Sequence, residues 1–271
     1  EAQNWTLAAI ASNADFLVPC LKCLVQKFVS HHDEAAITEQ ERQKWNETSH
    51  HVHTTLQRAL VQFPTAATVL IPLLAESFPH RRLSPNTHQL YVTNLLQVLS
   101  YAPSLCEQVF HILFDRLLQI DVEIELDADE LDGGSDAEEE DLCFSLELGD
   151  EHKEQREACA KLDACLDLTF HFLHTQMHAD AGRAANMFAV LVSCFEKHVL
   201  PTVRSKFVQF IVFYAAQFDP SLPETLLGRL LHTVMAAQEA ESKRISAVAY
   251  VGSFLARASY LRRSNVHTAI T

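Results

Sequence analysis

Glycine is scarce in this chain: six residues in 271, about 2% where average usage is near 7%. Phosphate-cradling loops of α/β enzymes and the tight turns of all-β folds both draw on glycine, so the shortage favours an all-helical protein. None of the patterns G-x-x-x-x-G-K-[ST], G-x-G-x-x-G, G-x-S-x-G or H-E-x-x-H occurs. Their absence removes the common signatures of nucleotide binding, serine hydrolysis and zinc proteolysis. No apolar run approaches the ~18–20 residues that span a bilayer, so a soluble chain with no membrane partner is expected. The opening Glu1-Ala2-Gln3-Asn4-Trp5 has neither a basic leader nor an initiator Met, and Thr271 falls inside a helical pattern, as in a piece of a longer protein. The seven cysteines are odd in number and irregular in spacing, which suits reduced thiols in the cytosol or nucleus.

What is present is a globular composition, 48% hydrophobic and 21% charged, with a net charge of −14. The charge is not spread evenly. Residues 121–151 hold fifteen acids and no Lys or Arg, which leaves +1 on the other 240 residues. The body therefore need not repel acidic partners, yet it lacks the clustered Lys and Arg of a duplex-DNA footprint.

Proline marks the architecture. Pro64, Pro79, Pro85, Pro103, Pro201 and Pro220 fall between apolar runs of helical length and read as corners. Apolar spacings of three and four predict helices over 69–78, 90–99, 105–118, 156–178, 203–218, 223–237 and 240–258. The 156–178 helix carries Leu162, Cys165, Leu166, Phe172, Leu173 and Met177 on one stripe, and Ala247, Val248, Val251, Phe254 and Leu255 take core spacing in the last. Grouped by corners, helix pairs cover 1–30, 47–78, 85–120, 156–197, 201–237 and 241 onward, close to the ~40–47-residue pace of HEAT or armadillo units. The expectation is an all-α, HEAT-type α-solenoid of antiparallel helix pairs, with an irregular bundle as alternative. Helical repeats over 1–120 and 152–271 form one solenoid, interrupted by a disordered acidic loop at 121–151. Residues 31–46 read as a polar loop or short exposed helix.

Cys20 and Cys23 make a C-x-x-C, but without a second pair or an H-x-x-x-H they read as helix residues. His171, His174 and His178 share a face at i, i+3 and i+7, a spacing able to present metal ligands. That face lies opposite the apolar stripe, so an ordinary polar surface is expected, and still more so for His50, His51 and His53. The plentiful acids sit where no rigid site can form, so neither an enzyme nor a cofactor is expected. The acidic segment itself reads as a solvating loop, as attraction for a basic partner, or as a kinase substrate. Ser135 has acids at +1 and at +3 to +6, the setting an acidophilic kinase prefers. Arg81, Arg82 and Ser84 occupy one corner, and Arg262 and Arg263 another. Turns are where solenoids present contacts.

Three stretches together resemble one family. They are 70–79 (LIPLLAESFP) with Tyr91 to Leu96 and Tyr101-Ala102-Pro103; 200–218 (LPTVRSKFVQFIVFYAAQF); and 250–258 (YVGSFLARA). Their order and spacing are similar to those of the RNA polymerase I-specific transcription initiation factors, and Val251 to Ala258 reproduces the family's I-G-S-F-L-A-R-A almost letter for letter. The resemblance spans nearly the whole chain and corresponds to the middle of a longer family protein. It implies a nuclear, nucleolar, non-enzymatic HEAT solenoid that binds RNA polymerase I and bridges it to the promoter core factor at ribosomal RNA genes. It also implies regulatory kinases and an acidic insertion at 121–151, without sequence-specific DNA contact. Two departures stand out: no Ser lies between Ser30 and Ser49, and a family Ser-Thr-Pro appears here as Thr65-Ala66-Ala67, which leaves Thr65 the modifiable residue. The rival reading is a generic helical-repeat transport or scaffold protein with a peptide or a small GTPase in its groove.

Overall fold

Every regular element among the described residues is a helix. The computed structural model describes residues 8, 13–29, 39–132, 144–178, 180–202 and 205–270. The helices are α1 (Leu17–Val25), α2 (Glu39–Gln62), α3 (Ala66–Glu76), α4 (Pro85–Tyr101), α5 (Cys106–Asp132), α6 (Phe144–Met177), α7 (Ala181–Cys194), α8 (Phe210–Ala215), α9 (Leu222–Met235), α10 (Glu241–Arg257) and α11 (Arg263–Ile270). The prolines take the places the sequence suggests. Pro64 separates α2 from α3, Pro85 opens α4 behind Ser84, Pro103 starts a 3₁₀ turn, and Pro220 precedes α9.

The chain divides into two compact units, residues 1–113 with 156–168, and residues 114–155 with 169–271. In the first, α1 packs on α2 and α3, and α2 on α4. Its aliphatic core includes Leu21, Leu56, Leu70, Leu74 and Leu95, all fully buried. A polar knot is sealed inside it. Asn94 accepts from Ser49 Oγ and from His53 Nε2, both at 2.9 Å, and donates to the carbonyls of Phe28 (2.9 Å) and Leu90 (2.8 Å). His53 Nδ1 lies 2.9 Å from the Tyr101 hydroxyl, and the Phe28 ring stacks on the imidazole at 5.3 Å. With Nε2–H donating to Asn94, Nδ1 accepts from Tyr101, so a neutral imidazole satisfies the whole network.

In the second unit, α7 packs on α8 and α9, and α9 packs on α10 and α11. Helices α9 and α10 are joined by only five residues, which makes them antiparallel neighbours. Beyond α7 the chain makes one π turn, Phe195–Val199, closed by Leu200 N–H donating to the Phe195 carbonyl at 2.9 Å. The predicted helix at 203–218 starts late. Regular α-helix begins only at Phe210, because the amides of Lys206, Phe207 and Val208 (3.0–3.1 Å) and the Ser205 hydroxyl (2.7 Å) all donate to Asp121 Oδ2. A carboxylate from α5 thus caps the start of α8, supplying the acceptor that a helix's first N–H groups lack. This also alters the reading of 121–151 as a loop. Its first part is helical through Asp132 and its last part begins α6 at Phe144; residues 133–143, Ser135 among them, lie outside the described residues. Asp121 and Ile124 are buried because they extend the apolar stripe of Leu113 and Leu117 by further helical turns.

Two predictions follow from these polar cores. Asp121→Ala leaves three amides and a hydroxyl without their acceptor, and is expected to lower the unfolding free energy by roughly 2–4 kcal/mol, with Asp121→Asn less damaging; urea denaturation measures it. The second concerns acid. Burial holds His53 and His88 below the ordinary imidazole range; Lys161 adds to this at His88, while the Ser84 carbonyl opposes it. Their unfolded forms take up protons first, so this stability is present above pH 6.5 and is lost as pH falls below it. Each His contributes up to about 1.4 kcal/mol per pH unit. The urea midpoint should drop between pH 7 and 5.5, and His88→Gln should flatten that drop.

Candidate interaction surfaces

The corner between α3 and α4 is built on a turn from His80 to Leu83, closed by Leu83 N–H donating to the His80 carbonyl at 2.9 Å. Arg81 and Arg82 are exposed on it. Beneath it, buried Lys161 donates its ammonium to the Arg81 carbonyl at 2.5 Å, which fixes the corner to α6 within the same unit. Ser84 has a structural duty. It is the N-cap of α4, with φ −61° and ψ 156°, and its Oγ accepts from Thr87 N–H at 3.3 Å ahead of Pro85 at the first helical position. Thr65 precedes α3, is exposed, and makes no cap bond with its side chain.

The second basic corner belongs to the other unit. Tyr260 donates its hydroxyl to the Phe213 carbonyl, and burial raises that phenol well above its ordinary range. Leu261 N–H donates to the Ala258 carbonyl at 3.1 Å. Arg262 N–H donates to Oδ1 of buried Asn265 at 2.9 Å, an N-terminal cap for α11 reached from inside the helix. The side chains of Arg262 and Arg263 are exposed, and among the described residues neither makes an ion pair.

The 250–258 stretch divides into two faces of α10. Tyr250, Val251, Phe254 and Ala258 face the core. Phe254 lies 4.8 Å from Phe213, ring to ring, and Tyr250 5.0 Å from Phe195. Burial, opposed by Ser205 and reinforced by Asp121, pushes the Tyr250 phenol up to about 12. Ser253 donates to Gln209 Oε1 at 2.8 Å and accepts from Arg257 at 3.0 Å. Gly252 faces open space, where an added Cβ meets nothing within 4 Å. Val248, expected in the core, is 54% exposed beside Ile245 at 63%. The helix phase places these two away from α9.

The remaining candidates separate cleanly. Cys20 and Cys23 lie in α1, and every described cysteine is free. Among the described residues, no group of three or more His, Cys, Asp or Glu converges as a metal site, and no helix is long and apolar enough to cross a membrane. His53 is a core residue and not part of a surface trio. His171, His174 and His178 are exposed, as the stripe pattern implies, but the latter two join an aromatic cluster that sequence spacing did not reveal. Lys161 and Asn265 were missed as well. Each sits at a polar-looking helical position whose only sequence signal is its register with apolar neighbours.

Comparison with known proteins bears on what this framework is for. The family model described as "RNA polymerase I specific transcription initiation factor RRN3" matches residues 4–271. The RNA polymerase I-specific transcription initiation factor rrn3 of Schizosaccharomyces pombe is 25% identical over 96% of this chain and 47% of its own length. Its Mus musculus counterpart is 27% identical over 96% of this chain and 44% of its own length. A crystal structure titled as RNA polymerase I transcription initiation factor Rrn3 superposes with a TM-score of 0.76 at 25% identity, covering 95% of this chain and 47% of that one. The fold is that protein's all-helical, solenoid-like one. The chain spans about half the length of the relatives it matches. These are transcription factors and not an enzyme family, and with the match running from residue 4 to the last residue, the chain belongs to the RNA polymerase I specific transcription initiation factor RRN3 family.

Proposed function

We propose that this chain is the polymerase-binding middle of a nuclear, nucleolar RNA polymerase I initiation factor, which holds the polymerase and bridges it to the promoter core factor at ribosomal RNA genes. The observation that carries the reading is the family match over residues 4–271 together with relatives named as polymerase I-specific initiation factors. The work is done by surface complementarity, with no bond made or broken and no sequence-specific DNA contact. Arg81 and Arg82 on one corner and Arg262 and Arg263 on the other are the contact residues, while Ser84 holds the first corner in shape. Rigid caps under flexible, charged side chains suit recognition of an acidic surface, where charge sets the rate and register of association.

Regulation by kinases falls on Thr65 and Ser135. A phosphate on Thr65 lies at the N-terminus of α3, where the helix dipole favours negative charge. It leaves α3 intact and changes only what the surface offers a partner. At Ser135 it deepens an already acidic stretch.

Purified polymerase I and polymerase II, passed separately over immobilised chain across a salt series, test this. Polymerase I is expected to be retained at moderate salt and polymerase II is not. Arg81→Glu with Arg82→Glu, and Arg262→Glu with Arg263→Glu, should each weaken retention at least fivefold with circular dichroism unchanged, while Thr65→Glu and Ser135→Asp report on regulation. Loss of polymerase I binding by a folded chain, or equal retention of polymerase II, overturns the proposal. Retention of an import-pathway GTPase in its place would favour the transport or scaffold reading.

A further inference from the structure

We propose that His174 and His178 form a two-ligand chelating site for a divalent late transition metal, copper or zinc, at the C-terminal end of α6. The two residues are four apart, so both rings rise from the same side of the helix. Their centroids lie 4.3 Å apart with the planes tilted by 52°, and both side chains are exposed.

The rings are held as well as adjacent. His178 Nδ1 lies 2.9 Å from the His174 carbonyl. A carbonyl only accepts, so Nδ1 carries the proton and the neutral ring leaves its lone pair on Nε2. His174 Nδ1 lies 3.2 Å from the Tyr214 hydroxyl, which can accept the same Nδ1–H and fix the same tautomer. Among the described residues neither Nε2 has a hydrogen-bond partner. A hydrogen bond behind one ring nitrogen orients and enriches the other as a metal ligand. Phe218 fixes the rings further: its plane stands at 90° to His178 with centroids 5.0 Å apart, and at 67° to His174 at 5.9 Å. Tyr214 packs on Phe218 at 5.4 Å and on Phe170 at 4.9 Å. The cluster thus restricts both imidazoles before any ion arrives. The negative pole of the α6 dipole lies at this end and favours a cation.

Imidazole nitrogen selects copper, nickel and zinc over calcium and magnesium, with copper held most tightly. No third His, Cys, Asp or Glu joins the pair among the described residues, so water fills the remaining positions. His171, three residues earlier, makes no ring contact with either.

Isothermal titration of the purified chain with copper(II), nickel(II) and zinc(II) chloride, in a non-chelating buffer at pH 7.5, tests the assignment. One site per chain tighter than the rest is expected, strongest for copper, and weakened at least tenfold at pH 5.5, where protons compete for Nε2. His174→Gln and His178→Gln should each weaken it tenfold or more. Tyr214→Phe should weaken it a few-fold, and His171→Gln less than twofold, with helicity unchanged throughout. In a separate readout, substoichiometric copper(II) should broaden the imidazole NMR signals of His174 and His178 ahead of the other histidines. The proposal fails if no such site is found, if it survives the His174→Gln, His178→Gln double variant, or if broadening falls first on other histidines.

Discussion

The second unit depends on a single carboxylate. After the π turn and Pro201 the chain must begin a helix again, and the amides of Lys206, Phe207 and Val208 have no helical carbonyl to bond. Asp121 Oδ2 accepts all three together with the Ser205 hydroxyl. That fixes where the helix phase restarts, and the phase decides what is buried. Val208, Ile211, Val212 and Phe213 face inward as a result, and Gln209 is turned so that its side chain accepts from Ser253 on α10. The cost is a charge with almost no solvent contact, and its second oxygen, Oδ1, has no hydrogen-bond partner. A buried charge is tolerated only where several donors converge on it, and here four do.

Much of the helical scaffold was legible in the sequence because it rests on local physics. Prolines cannot continue a helix, and apolar residues at three and four must share a face, so the runs at 90–99, 105–118 and 223–237 all lie inside observed helices. Leu162, Cys165, Leu166, Leu173 and Met177 are buried as their stripe requires. What escaped were positions where composition and geometry pull apart. The acids from 121 onward argue for solvent by charge alone, yet helix register carries Asp121 inward. The Phe-rich run from 207 to 213 looks like uninterrupted helix, but its opening amides are taken by a residue more than eighty positions earlier. Val248 looks like core and faces out, because only α9 settles which side of α10 is covered.

The surface residues divide by a similar logic. Arg81, Arg82, Arg262 and Arg263 stood out as charge at corners, and the structure leaves them exposed. The side chains that shape those corners are Lys161, Ser84 and Asn265, of which sequence reading singled out only Ser84, and for contact instead of capping. Short-range patterns identify groups that reach toward solvent more readily than groups that hold the backbone beneath them.

The π turn at Phe195–Val199 has a consequence for how such chains diverge. Its closing bond spans five residues instead of four, so the turn accommodates one residue more than an α-helical turn would. One residue corresponds to about 100° of helix rotation; losing it would swing everything beyond Leu200 by that angle and carry Glu196 away from the two bonds it accepts from Arg229. Single-residue insertions and deletions should therefore be strongly disfavoured on either side of this turn, while the turn itself is the place where a change of length could be absorbed without rotating the rest.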